Sequence, residues 1–355
     1  VIPEDNRFES DPAGVLPEDP GLPEGWSAAA PDGSDPATVA ELTELLRNHE
    51  RAGRGWAGAS EDDVLVEVSE RGLSMRENLV VRDESDRIRA WGSVHDRAVG
   101  RMLFVHVVAR DLEHALATRC SRVLLAWAEA QARAVGAARG LEVQQIDTGT
   151  FADDERLAGW LTAAGFEKVR TWWQMSRSVV PEEAELVPDP ARWELDGVVF
   201  RRVEQQGDGM PEDGDLRAVH DVLEGAFTDH FNSAEETFDE FIHRLREDPG
   251  HRWDHWWLAE VDGEPAGALV GTVSESVSGP DGSYVSYLGV LGSARGRGVA
   301  KGLLHTIIAD AAEQGRDRVG LEVDADSPTG ADGMYVAMGW GTKYVTQSWH
   351  KDVRV

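Results

Sequence analysis

Residues 284–300 read YVSYLGVLGSARGRGVA, an apolar run that ends in Arg295-Gly296-Arg297-Gly298-Val299-Ala300. In the following KGLLHTIIADAAEQG, Leu303, Leu304, Ile307, Ile308 and Ala311 recur at helical spacing. The pattern predicts a strand, a tight glycine-rich turn and a helix. The first N–H groups of a helix lack internal partners, and the helix dipole adds partial positive charge at the same end. Gly296 and Gly298 leave those groups uncovered, and Arg295 and Arg297 can add charge-assisted bonds. Such a turn suits a pyrophosphate. A P-loop is excluded because Ala300 precedes Lys301 and Gly302 follows it. A dinucleotide fingerprint would need glycine where Lys301 stands. A plain strand–helix turn with surface arginines is the alternative that this hexapeptide alone leaves open.

A second segment, Tyr335-Val336-Ala337-Met338-Gly339-Trp340, closes a helix predicted to start with Ser327 as N-cap and Pro328 as first helical residue. Together the two segments resemble motifs of the GNAT acyltransferase superfamily. Arg295-x-x-Gly298-x-Ala300 resembles its coenzyme A pyrophosphate motif. Tyr335-x-x-x-Gly339-Trp340 resembles its tyrosine motif, with Trp in place of Phe. The resemblance implies an acetyl-CoA-dependent N-acetyltransferase acting on a small-molecule amine. Coenzyme contacts then fall on Leu288, Gly289, Val290, Arg295, Gly296, Arg297, Gly298, Val299 and Ala300. It further implies a strand that splays open near Leu288 to Val290, whose N–H groups would bond the oxyanion and the pantetheine.

Acyl transfer from a thioester to an amine needs a base, an oxyanion site and an acid for the departing thiolate. Tyr335 is the candidate acid; the plain alternative is a core tyrosine. The base is open. Glu322 and Asp324 share one strand face by period two, Asp326 follows, and Asp229 and His230 stand where the fold lines its acceptor site. Glu322 is the choice if one residue is taken. Each of these is otherwise an ordinary solvated group. Trp253, Trp256 and Trp257 read as core rather than pocket wall. His251 and His255 are four apart in a loop without a second ligand pair, so no metal is expected, and the chemistry needs none.

The elements that must position these groups fall into two similar halves. GLEVQQIDTGTFADDERLAGWLTAAGF (140–166) parallels GLEVDADSPTGADGMYVAMGW (320–340), and LLAWAEAQARAVG (124–136) parallels LLHTIIADAAEQG (303–315). The reading is an α+β (α/β) chain of two tandem GNAT-like domains. Each would have a mixed, mostly antiparallel central sheet flanked by helices. An acidic Pro/Gly-rich arm covers 1–35, a degenerate domain 36–180, a linker 181–193 and the catalytic domain 194–355. Aligning the halves sets Leu116 opposite Arg295, Arg119 opposite Gly298 and Leu161 opposite Tyr335. The first half thus lacks both motifs, and Arg119 would cover the backbone a phosphate needs. Tandem copies with the working turn in the second resemble mycothiol synthase and its actinobacterial relatives. Where that family carries a glutamate as base, this chain has Tyr284, a poor base with an ordinary pKa of about 10.

The chain has 355 residues, 65 of them acidic and 35 basic, for a net charge of −30. Such a field argues against nucleic acid and anionic membranes as partners. It either concentrates cationic amines or only maintains solubility. The single cysteine, Cys120, sits in an apolar helical pattern and excludes an intrachain disulfide. With no long apolar run and no signal-like start, the expectation is a cytoplasmic monomer or homodimer. A binding or regulatory module that keeps the coenzyme fold without catalysis is the competing class.

Overall fold

A computed structural model describes residues 21–98, 100–186, 192–195, 197–207, 209–227, 237–247, 251–274, 276, 279–326 and 331–355. It divides into two compact units, 1–172 with 344–355, and 173–343.

In the first unit, β1 (Ser27–Ala29) leads into α1 (Pro36–Arg54), α2 (Glu61–Val68) and α3 (Glu70–Leu73). Asp35 caps α1 through the N–H groups of Ala37 and Thr38, with Pro36 at the first position. Ser60 and Asp63 form a capping box at the start of α2. Next come β2 (Arg76–Arg82), β3 (Ile88–Ala98), β4 (Arg101–Val108), α4 (His114–Arg139), β5 (Val143–Phe151) and α5 (Glu155–Ala163). The strands run in the order β1-β2-β3-β4-β5, antiparallel except for β4 with β5. Cys120 is fully buried in α4, and burial pushes its thiol up to about 11, as a core thiol requires. Part of the expected arm is structured: β1 pairs with β2, and Leu22 and Trp26 pack on the α4 core. Residues 1–20 lie outside the described residues.

The second unit receives the end of β6 (Glu167–Ser178) from Trp173 onward. It continues with β7 (Arg192–Leu195), β8 (Val198–Arg202), α6 (Asp213–Phe227), α7 (Phe238–Glu247), β9 (His251–Val261), β10 (Glu264–Ser274) and β11 (Gly282–Val290). Then follow α8 (Val299–Glu313), β12 (Arg318–Asp324) and α9 (Ala331–Ala337). Strand order is β6-β12-β11-β10-β9-β8-β7, with β11 and β12 parallel. One face packs on α8 through Leu303, Leu304 and Ile307, and the other on α6 and α7 through Leu223 and Phe241. Trp256 and Trp257 are fully buried on opposite faces, a core role for both.

The last strand, β13 (Gly341–Arg354), pairs antiparallel with β5 and completes the first unit from Tyr344 on. The compact units therefore differ from the repeat-based bounds, 36–180 and 194–355. The repeats follow sequence, whereas the units follow strand pairing, and β6 and β13 each run from one unit into the other. The expected linker is also partly ordered. Residues 181–186 form a 3₁₀ turn, Glu183 accepts from the Val180 N–H and pairs with Arg177, and Ala184 packs on the α8 core.

Candidate active site

The turn before α8 is built by glycine conformation. Gly296 and Gly298 have φ of 80° and 81°, a left-handed backbone that other residues adopt only with strain. A side chain at Gly296 would meet nothing within 4 Å, and one at Gly298 only Leu195 Cδ2 at 3.6 Å. The space over the turn is therefore open. Gly298 is the N-cap of α8 and offers no side chain to its N–H groups. Around it, Arg295 and Lys301 are exposed and have no ion-pair partner among the described residues, while Arg297 Nη1 stands 3.5 Å from Asp262 Oδ2. Deeper in the helix, the missing side chain of Gly302 lets α8 sink onto β8. A Cβ there would lie 2.0 Å from Phe200 Cζ. Positive charge and free backbone donors thus converge on one helix end, the arrangement that holds a phosphate.

β11 leads into this turn and parts from β12 before reaching it. Their parallel ladder covers only Ser283–Val285 against Val319–Leu321, and the pairing with β10 slips at Ser286. The Leu291 N–H bonds to Ala266 O of β10. By strand alternation the peptide groups of Leu288 and Val290 then point the other way, into the gap. Gly289 keeps α6 close: a Cβ there would meet Leu223 Cδ2 at 2.9 Å and Ala226 Cβ at 3.0 Å.

Tyr335 lies on α9, inside the α8-side core and 9% exposed, with its ring edge-on to Trp340 at 6.1 Å. Gly339, at φ 94°, ends the helix so that the Trp340 N–H bonds to Tyr335 O at 3.0 Å. Burial pushes the Tyr335 phenol up to about 12. Its hydroxyl has no hydrogen-bond partner among the described residues. It therefore stays a proton donor through the neutral range.

Glu322 stands on β12 between Leu321 and Val323, which are buried on the α8 side, so its carboxylate faces the opposite side. Its pKa is raised, chiefly by burial and further by Asp324, while a hydrogen bond from Gln174 Nε2 works against the rise. The residue keeps an exposed outer surface. Tyr284 OH donates to Gln174 Oε1 at 3.3 Å. Sequence reasoning missed Gln174, which lies 148 residues from its partner Glu322. Asp324 also faces away from the α8 core, and exposed Asp326 donates its N–H to Asp324 Oδ1 at 2.9 Å. Asp229, His230, Ser327 and Pro328 lie outside the described residues.

The two histidines are drawn into structure. His255 is 2% exposed and contacts Asp254 at 2.9 Å and Asp310 at 3.3 Å, the latter too poorly aligned for a hydrogen bond. Asp310 of α8, 1% exposed, also pairs with Arg202 at 2.5 Å and Arg316 at 3.0 Å. Burial opposes its ionisation, but the close contacts with His255 and Arg202 hold its pKa below the usual value. Trp256 Nε1 donates to His251 Nε2 at 3.3 Å. Among the described residues no cluster of His, Cys, Asp or Glu could hold a metal ion.

The first unit differs at both positions. The stretch set opposite the glycine turn lies inside α4, which begins at His114, so from Ala117 on its backbone N–H groups are taken by the helix itself. Arg119 is therefore not a lid over free backbone, as the alignment suggests; the glycine-free HALATRCS simply continues the helix. Leu161, opposite Tyr335, is fully buried. The β4–β5 ladder also stops early, at Phe104 with Thr148, but Arg156 of α5 reaches back to Val108 O at 3.2 Å and Ala109 O at 3.5 Å.

Residues 216–340, all within the second unit, match the acetyltransferase (GNAT) family. No curated protein sequence matches the chain at a significant level. Among solved structures, a GCN5-related N-acetyltransferase from Sphaerobacter thermophilus is similar over 94% of this chain and 98% of its own, at 23% identity and a TM-score of 0.71. A tandem GNAT protein from the clavulanic acid biosynthesis pathway is similar over 93% of this chain and 99% of its own, at 14% identity and a TM-score of 0.66. N-myristoyltransferase of Saccharomyces cerevisiae, solved with bound myristoyl-CoA, is similar over 96% of this chain and 82% of its own, at 12% identity and a TM-score of 0.55. At these identities the likeness is one of fold. Residues 216–340 thus match the GNAT acetyltransferase family, and the fold of the chain is similar to that of solved GNAT and tandem GNAT proteins.

Proposed function

We propose that the second unit transfers an acetyl group from acetyl-CoA to the amine of a small molecule, and that the first unit does no acyl transfer. The observation that carries the reading is the open glycine turn at the N-terminus of α8, directly after a strand that has parted from its neighbour. In this reading the N–H groups that open α8, with Arg295, Arg297 and Lys301, hold the coenzyme pyrophosphate. Leu288 and Val290 direct backbone N–H groups towards the charge that develops on the acetyl oxygen. Glu322, with its raised pKa, takes the proton that the amine loses. Tyr335 gives its proton to the leaving thiolate, for which a phenol at about 12 is a fully protonated donor. These residues fit the coenzyme, which supplies only the thioester. Tyr284 in place of a strand glutamate speaks against a mycothiol-type acceptor.

The helix that replaces the turn in the first unit supports a single working site. Acetyl-CoA, and the small amine as acceptor, are tested by thiol release with acetyl-CoA against a panel of amines. Release that depends on one amine class supports the reading. No release with any amine, from a protein that binds acetyl-CoA, favours the non-catalytic binding module instead.

A further inference from the structure

We propose that Gln174, on β6, is a positioning residue that fixes the Glu322 carboxylate for proton abstraction, and that Tyr284 in turn fixes Gln174. This rests on the reading of Glu322 as the base. The three side chains come from adjacent strands, β6, β12 and β11, and share the sheet face away from α8. Gln174 Nε2 donates to Glu322 Oε2, and Tyr284 OH donates to Gln174 Oε1 at 3.3 Å.

The orientation of the amide follows from chemistry. A carboxylate can only accept, so the NH₂ end must face Glu322. That leaves the carbonyl end towards Tyr284, whose hydroxyl donates to it. Both ends of the amide are thereby used. Gln174 is 8% exposed, so its amide has little water to turn towards. Gly320 makes room for this: it pairs with Tyr284 across the ladder, and a Cβ on it would press on Tyr284 Cδ2 at 3.0 Å.

The arrangement gives Tyr284 a task other than that of a base. It also gives the first sequence repeat a task, since its last strand ends in the second unit and carries Gln174 there. The groups that act on the charge of Glu322 are Gln174 from β6 and Asp324 from its own strand, while Tyr284 of β11 acts through Gln174.

The test is a ¹³C NMR titration of the full chain carrying carboxyl-labelled glutamate. The Glu322 signal is assigned as the one missing from Glu322→Gln. Because the bond from Gln174 favours the ionised carboxylate, Gln174→Ala should move the Glu322 midpoint to higher pH. Tyr284→Phe should move it the same way by less, and Gln174→Leu should behave like Gln174→Ala because it keeps volume but not the bond. Melting curves establish that each variant is folded. An unchanged midpoint in folded Gln174→Ala and Gln174→Leu would overturn the proposal. Thiol release by Glu322→Gln reports separately on the base: turnover like wild type would remove Glu322 from the chemistry, whatever the titration shows for Gln174.

Discussion

Replacing Tyr335 by Phe removes one oxygen and leaves the ring in place. The ring packs edge-on against Trp340 within the α8 core, and Phe reproduces that contact. The hydroxyl has no partner among the described residues, so its loss strands no buried donor or acceptor. Stability should therefore change by no more than about 0.5 kcal/mol. Catalysis should respond very differently. A positioned acid contributes roughly 10²–10⁴ in rate. That is about 2.7–5.4 kcal/mol of barrier at ~1.36 kcal/mol per tenfold. The turnover number for the active amine should fall by that factor, with acetyl-CoA affinity nearly unchanged because the pyrophosphate contacts lie in the turn. The pH profile sharpens the test. With its phenol pushed up to about 12, Tyr335 remains protonated across the neutral and mildly alkaline range, so it should impose no falling limb there. Steady-state kinetics beside a melting curve decide the matter. Wild-type turnover in a stable Tyr335→Phe protein would assign thiolate protonation to water and refute the acid role.

Two further substitutions test how the site is held. Gly302→Ala would place a Cβ 2.0 Å from Phe200 Cζ, an overpacking that should cost about 1–3 kcal/mol. An unchanged melting temperature would contradict the close seating of α8. Asp310→Asn would leave Arg202 and Arg316 facing a neutral group at a buried position and should cost about 3–5 kcal/mol, measured by urea unfolding. The same carboxylate gives a signed pH dependence. Its folded pKa is depressed, so its contribution is complete above the unfolded value of about 3.9 and is lost as pH falls through the lower folded value. The stability gap between wild type and Asp310→Asn should therefore close in acid and persist at neutral pH; a gap that widened on acidification would reverse the sign of the argument.

Much of this was legible in local patterns. The spacing of Leu303, Leu304 and Ile307 gave α8, and all three are fully buried. Period-two alternation put Glu322 and Asp324 on one strand face, and that is the face turned away from the α8 core. Ser60 followed by Glu61, Asp62 and Asp63 is a local helix-start pattern, and it forms a capping box. What escaped was non-local. Gln174 sits 148 residues from Glu322, and only strand pairing brings them together. β13 reads as the end of the second repeat yet pairs with β5. The first repeat's turn is illegible for a different reason: the alignment compares side chains, whereas the helix through Arg119 engages the backbone N–H groups from Ala117 on.

The central claim is that one helix end, the glycine turn of the second unit, receives the coenzyme. Calorimetric titration with acetyl-CoA addresses it directly, in wild type and in Gly298→Glu. The substitution faces open space, with Leu195 Cδ2 at 3.6 Å from the new Cβ, and its left-handed φ of 81° costs roughly 1–2 kcal/mol, so the fold should survive. The carboxylate would occupy and repel the position assigned to phosphate. Wild type should bind one equivalent per chain and folded Gly298→Glu none. Two equivalents of similar strength, or undiminished binding by the folded variant, would contradict the account.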